Sequence, residues 1–253
     1  MEKKLNIMRT LMMICGCGII YIIAYLLVVS GLSMIPACRQ LHTMYLNAWG
    51  MAAGAGAVCL FLRDDEWTFR IINKPVLQLV AVVTLAYGTS AFFNIVLGFV
   101  PWEAIFEQQV TPDEAVFFGI PLWARMICYE LVAPFSEEIL FRRVIYKKLR
   151  GIAPFGVAAS ISALLFGLYH GNLVQGIYAF IMGMFLALVY EWTGSFIAPV
   201  LFHMIANHLS DITYEFPKLG EVVYSPYGAI VSVVLITVAM MVLIKNKNKC
   251  SKK

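Results

Sequence analysis

Apolar residues fill this chain in long blocks, and polar residues gather between them. Eight blocks approach the ~20 residues needed to cross the hydrocarbon core of a bilayer: 11–34, 43–62, 76–100, 122–146, 154–171, 173–192, 195–213 and 224–244. Pro36, Pro75, Pro101, Pro154, Gly194 and Pro217, residues that end or turn helices, mark the junctions. Segments 113–121 and 214–223 read as amphipathic or turn-like and are expected at the outer interface. The pattern predicts an all-α polytopic membrane protein, with about eight transmembrane helices in one bundle around a membrane-embedded polar cavity. Residues 1–253 then form a single membrane domain. It has three N-terminal spans in 1–110, core spans in 122–213, a last span at 224–244 and a basic tail at 245–253. No internal repeat is visible, which argues mildly against a transporter built from inverted repeats.

Composition agrees. The chain is 61% hydrophobic and 13% charged, about half the charged fraction of a soluble domain. Such a chain cannot cover a water-facing surface. The run from Leu11 to Ile35 is long enough to span, so it is expected to be retained, unlike the short apolar core of a signal peptide.

The basic residues orient the bundle through the positive-inside rule. With the N-terminus in the cytoplasm, the inner flanks hold Lys3, Lys4, Arg9, Arg63, Arg70, Lys74, Arg142, Arg143, Lys147, Lys148, Arg150, Lys245, Lys247, Lys249, Lys252 and Lys253. Only Arg39, Arg125 and Lys218 remain outside, beside the acidic run Glu103, Glu107, Asp113 and Glu114. An even number of spans with both termini cytoplasmic fits, and the expected location is the plasma membrane. The +4 net charge reflects this asymmetry and signals no nucleic acid, because the basic residues flank spans and form no separate arm.

The six cysteines, Cys15, Cys17, Cys38, Cys59, Cys128 and Cys250, have no metal-ligand spacing and read as small buried apolar residues. Cys250 stands where a prenylated cysteine would, but Ser251-Lys252-Lys253 lacks the aliphatic pair.

Against this background a few polar residues stand out. Ser136-Glu137-Glu138 and Arg142 lie inside the fourth block. A charged side chain at the bilayer centre costs about 2.5–3.5 kcal/mol on insertion scales, so two adjacent carboxylates require a reason. Glu138 and Arg142 are at i, i+4 and can pair on one helix face. Glu137 is turned from that face by about 100°. Ser136 follows Pro134-Phe135, so the helix is expected to restart there with Ser136 as its cap. The fifth block ends Phe166-Gly167-Leu168-Tyr169-His170. The seventh presents His203, Asn207 and Asp211 at i, i+4, i+8, a polar stripe on an apolar helix. If the three clusters converge, they supply a general base, imidazoles able to carry protons or bind metal, and a hydrogen-bond donor. A hydrolytic site needs those parts.

Each residue also has an ordinary reading. His170 at a helix end serves equally as an interfacial histidine, and His208 points off the stripe. Asn207 alone could be interhelical glue. Arg143, Lys147, Lys148 and Arg150 read most simply as topology signals, and Glu191-Trp192 as an interface anchor.

The three motifs together, Glu137-Glu138-x3-Arg142, Phe166-x3-His170 and His203-x3-Asn207, resemble the CAAX-protease and bacteriocin-processing (Abi, type II CAAX prenyl endopeptidase-like) family of intramembrane proteases. The resemblance implies an eight-helix membrane protease cutting a peptide or lipidated protein near the bilayer. It implies that Glu137 activates water, His170 binds or orients it, His203 and Asn207 stabilise the oxyanion, and Glu138 with Arg142 positions Glu137; Phe166 supports. Zinc stays open: His170, His203 and Glu137 could complete a catalytic zinc site with water as fourth ligand, or the Glu could act alone. His-Glu-x-x-His is absent. Serine and aspartyl designs fail, because Gly194-Ser195 lacks the required frame and Asp211 is the only Asp near a span core. The alternatives are a non-catalytic bacteriocin-immunity or scaffolding protein and, more distantly, a proton-coupled transporter.

One geometric demand follows. If the fifth block spanned fully, His170 would end about 20 Å from Glu137 along the membrane normal. A short or tilted fifth helix and a water-filled conical cavity are therefore expected.

Overall fold

The computed structural model describes residues 2–62, 75–102 and 119–247. Arg63, Arg70, Lys74, the acidic run Glu103 to Glu114, most of segment 113–121, Lys249, Lys252, Lys253 and Cys250 lie outside the described residues.

Among the described residues every regular element is helical. In chain order they are α1 (Glu2–Met34), α2 (Thr43–Phe61), α3 (Pro75–Gly98), α4 (residues 122–150), α5 (Phe155–Tyr169), α6 (Leu173–Thr193), α7 (Ile197–Glu215), α8 (Pro217–Val223) and α9 (Pro226–Lys247). Each expected block has its helix. Pro36 opens a 3-10 turn after α1, Gly194 ends α6 with φ 64° and Pro217 starts α8.

Among the described residues five helices are long and apolar enough to cross a membrane: Lys4–Met34, Thr43–Phe61, Val76–Gly98, Leu173–Thr193 and Pro226–Lys247. The other three blocks are the ones that carry the polar motifs. Charges dilute α4, the polar stripe dilutes α7, and α5 has only 15 residues. At 1.5 Å per residue α5 reaches about 22 Å, short of the roughly 30 Å hydrocarbon core.

α4 is one continuous helix with two changes of hydrogen-bond pitch. It is α over Leu122–Arg125, π over Met126–Val132, α over Ala133–Glu138, π over Ile139–Tyr146 and α over Lys147–Arg150. The Ala133 N–H bonds back five residues to the Cys128 carbonyl, and the Lys147 N–H to that of Arg142. The first π segment absorbs Pro134, which has no N–H to donate and sits just after the ladder has slipped by one residue. This corrects the expected restart at Ser136. The position before Ala133 is helical (Val132 φ −69°, ψ −46°), no side chain caps it, and the helix runs through.

The chain divides into two compact units. The first holds the described parts of Met1–Trp67 and Asp113–Ser162. In it α1 and α2 pack closely at Gly50 and Gly54, where an added Cβ would come within 2.6 Å of Tyr25 and 2.9 Å of Tyr21. Tyr25 donates to the Asn47 side chain at 2.7 Å beside this contact. α2 in turn packs along α4.

The second unit holds the described parts of Thr68–Pro112 and Ala163–Lys253. α3 is its centre and packs on α9, α7 and α6. α5 passes from the first unit into the second between Ser162 and Ala163.

The five described cysteines are free. Cys17 and Cys128 are buried as expected, whereas Cys15 is exposed on the apolar outer face of α1, where a small thiol costs little.

Candidate active site

In the first unit the candidate carboxylates lie on the α segment between the two π segments of α4. Glu137 is 7% exposed, and Glu138 and Arg142 are fully buried. The Arg142 guanidinium donates to the Glu138 carboxylate at 3.0 Å, the pair that their spacing predicts. Both carboxylates stand within electrostatic range of Arg142. One guanidinium thus faces two adjacent carboxylates, with Glu138 holding it directly. The Phe141 carbonyl, in the second π segment, accepts the Ser162 hydroxyl at 2.7 Å and ties α4 to the middle of α5.

Arg143 departs from its reading as a topology signal. It is 2% exposed, because it falls on the π segment that α2 and α1 cover. Lys147 and Lys148 are half-buried, and Arg150 is exposed as that reading requires.

In the second unit one aromatic ring organises both imidazoles. Phe166 is 2% exposed. Its ring meets His170 edge-on at 4.8 Å and 87°, and His203 edge-on at 5.5 Å and 86°. His170, half-buried, places Nδ1 2.8 Å from the Phe166 carbonyl oxygen. A carbonyl only accepts, so Nδ1 carries the proton of this bond. His203 is 7% exposed. Asn207, half-buried, follows it by one turn on the same face of α7.

Local sequence explains the position of His170. Gly171 has φ 67°, a left-handed conformation that glycine adopts without cost, and ends α5 just after the histidine. The Asn172 side chain then accepts the Gln175 N–H at 3.1 Å and caps α6. One turn before the histidine, Gly167 allows the backbones to touch. An added Cβ there would lie 2.6 Å from the Gly176 carbonyl oxygen.

α7 is held from the side by Ser90 of α3. Its hydroxyl donates to the Ala206 carbonyl at 3.3 Å and meets the Tyr178 hydroxyl of α6 at 2.9 Å. Sequence reasoning missed this brace. A serine inside an apolar span was the available signal. It also missed the buried Glu130, at 6% exposure, and reads Arg125 as an outer flank although it is 3% exposed. Arg125 donates to the Ile120 carbonyl at 3.2 Å. The stripe on α7 also needs adjustment at its end: Asp211 is 1% exposed, turned into the helix packing.

Among the described residues no three His, Cys, Asp or Glu side chains are grouped so as to hold a metal ion. Whether His170, His203 and Glu137 hold zinc is a matter for metal analysis, and no step below is assigned to zinc.

Comparison with known proteins bears on this geometry. Residues 119–209 match the family model of the type II CAAX prenyl endopeptidase Rce1-like proteins. That stretch is similar to an Rce1-like domain. All seven candidate residues, Glu137, Glu138, Arg142, Phe166, His170, His203 and Asn207, fall inside it. The chain is 25% identical over 146 residues to the membrane-embedded CAAX protease MroQ of Staphylococcus aureus (strain USA300), covering 54% of this chain and 58% of that protein. It is 32% identical over 92 residues to YdiL of Bacillus subtilis (strain 168), named as a candidate membrane peptidase, covering 36% of this chain and 37% of that protein. The chain spans about half the length of the curated relatives it matches. No solved structure matches it significantly. The similarity to Rce1-like proteins and the five apolar helices among the described residues support an integral membrane protein.

Proposed function

We propose that the protein is an intramembrane endopeptidase that hydrolyses a peptide bond in a membrane-associated peptide or lipidated protein, with bacteriocin and signal-peptide precursors among the candidate substrates. The observation that carries this reading is the pairing of His170 and His203 about Phe166, inside the Rce1-like stretch that also contains the buried Glu137. In this reading the eight helical blocks cross the plasma membrane with both termini cytoplasmic, and a water-filled cavity reaches Glu137.

Glu137 takes a proton from water as the oxygen attacks the scissile carbonyl carbon. His170 orients that water through Nε2, its Nδ1 being committed to the Phe166 carbonyl. The carbonyl oxygen becomes an oxyanion, which His203 and Asn207 receive with N–H donors. Collapse breaks the C–N bond, and Glu137 returns its proton to the leaving amine. Glu138 with Arg142 fixes the backbone turn that presents Glu137. The reading is that of a glutamate-dependent hydrolase; activity that survives chelation would support it, and loss restored by zinc would replace it with a metalloprotease.

The test is digestion of a proteome-derived peptide library in H2-18O by the detergent-solubilised full-length protein. New C-termini carrying 18O, absent with Glu137→Gln, are expected. No cleavage by the folded wild type would contradict the proposal.

A further inference from the structure

The second unit contains a cavity of about 620 Å³ whose wall includes Asn94 and Phe99 of the α3 end, Ser210, Thr213 and Tyr214 of α7, and Tyr224 beyond α8. Its size lies within the roughly 300–1,000 Å³ typical of ligand sites. Among the described residues, none that lines it is charged. Hydrogen bonds fix its polar groups. Thr213 and Tyr224 share a hydroxyl contact at 2.9 Å, and the Asn94 amide donates to the Ser90 carbonyl at 2.9 Å. The Tyr178 hydroxyl meets the side chains of Ser90, Asn94 and Ser210.

The cavity continues the face of α7 that bears the proposed oxyanion donors. At about 100° per residue, Ser210 lies roughly 20° from His203 around the helix and Tyr214 roughly 20° to the other side, whereas Asp211 is turned by about 80°. His203, Asn207, Ser210 and Tyr214 therefore form one row, with the last two opening on the cavity. Along the axis, Ser210 and Tyr214 stand about 4.5 and 10.5 Å beyond Asn207. An extended peptide advances about 3.3 Å per residue, so this distance corresponds to the second and third residues from a bond held at Asn207.

We propose that this cavity is a specificity pocket, taking an uncharged segment of the substrate peptide two to three residues from the scissile bond. The proposal rests on the peptidase reading above. Hydroxyl and amide groups of the wall meet the peptide backbone, and Ile95 and Phe99 meet its side chains. A charged side chain entering there would lose its hydration and find no opposite charge among the described lining residues, which is costly.

The library digest tests it through the residue frequencies flanking each cut. In the wild type, Asp, Glu, Lys and Arg are expected to be depleted about tenfold at two adjacent positions on one side of the cut. Gly98 lines the cavity, and an added Cβ there meets nothing within 4 Å, so Gly98→Phe fills the pocket. It should narrow those same positions to Gly and Ala and raise KM about tenfold with kcat within threefold. Phe99 is 82% exposed, so Phe99→Ala leaves the fold intact and should admit bulkier residues at those positions. Cleavage with identical positional profiles in wild type, Gly98→Phe and Phe99→Ala would overturn the pocket and leave the peptidase standing. An unchanged Phe99→Ala profile would do so even if Gly98→Phe failed to fold. No cleavage by the folded wild type would overturn both.

Discussion

His170 donates its Nδ1 proton to the carbonyl of Phe166, one turn earlier in α5, at 2.8 Å. The same Phe166 ring stands edge-on to His170 and to His203. A helix C-terminus thus fixes the orientation of the imidazole and commits its Nδ1 to the backbone. His170→Asn retains an amide near the Nδ1 position and lacks Nε2. It is expected to fold normally and to lower kcat about 10²–10⁴-fold, the usual range for a lost acid–base group, with a smaller change in KM. Steady-state kinetics beside a thermal melt in detergent checks this. An active His170→Asn would remove Nε2 from the mechanism.

Phe166 has a separable role. Phe166→Leu keeps the core filled and loses the edge contacts that align both imidazoles. Activity should fall by at least tenfold, and the melt should shift by only a few degrees, since volume-conserving swaps usually cost under about 1.5 kcal/mol. Equal losses of stability and activity would mean that Phe166 is packing alone.

The Glu138–Arg142 pair is fully buried, so breaking it on one side strands a charge. Glu138→Leu or Arg142→Leu alone should destabilise by about 3–5 kcal/mol, and the double substitution should recover much of that. A double-mutant cycle from denaturant unfolding in micelles measures the coupling. Additive losses would show that the two side chains act independently.

Gly167 and Gly176 bring α5 and α6 into backbone contact. Gly167→Val has no room to relax, since the nearest atom is a carbonyl oxygen rather than a flexible side chain. It should separate the helices, move His170 and abolish activity. Gly18 of α1 meets nothing within 4 Å of an added Cβ, so Gly18→Ala should change neither activity nor stability. Comparing both variants by melt and by cleavage decides the matter.

Much of this architecture is legible in the sequence because membrane helices declare themselves by length and hydropathy. Block 43–62 appears as Thr43–Phe61 and block 173–192 as Leu173–Thr193. The Glu138–Arg142 pair follows from i, i+4 spacing. The π segments of α4 do not, because a five-residue hydrogen bond uses the same apolar residues as a four-residue one. Nor does the burial of Arg143, which depends on the cover that α2 provides. The brace from Ser90 to Tyr178 and Ala206 joins residues 88 and 116 positions apart, and no local pattern predicts such a partner. The candidate residues emerge from the sequence as three motifs, but only the structure shows that Phe166 sits between two histidines.

The most direct measurement compares protein and peptide termini in cells expressing wild type, Glu137→Ala or His203→Ala at equal levels. Termini present with wild type and missing with both variants are predicted, and they would name the substrate as well. Identical termini in all three would contradict the claim that Glu137 and His203 cut peptide bonds.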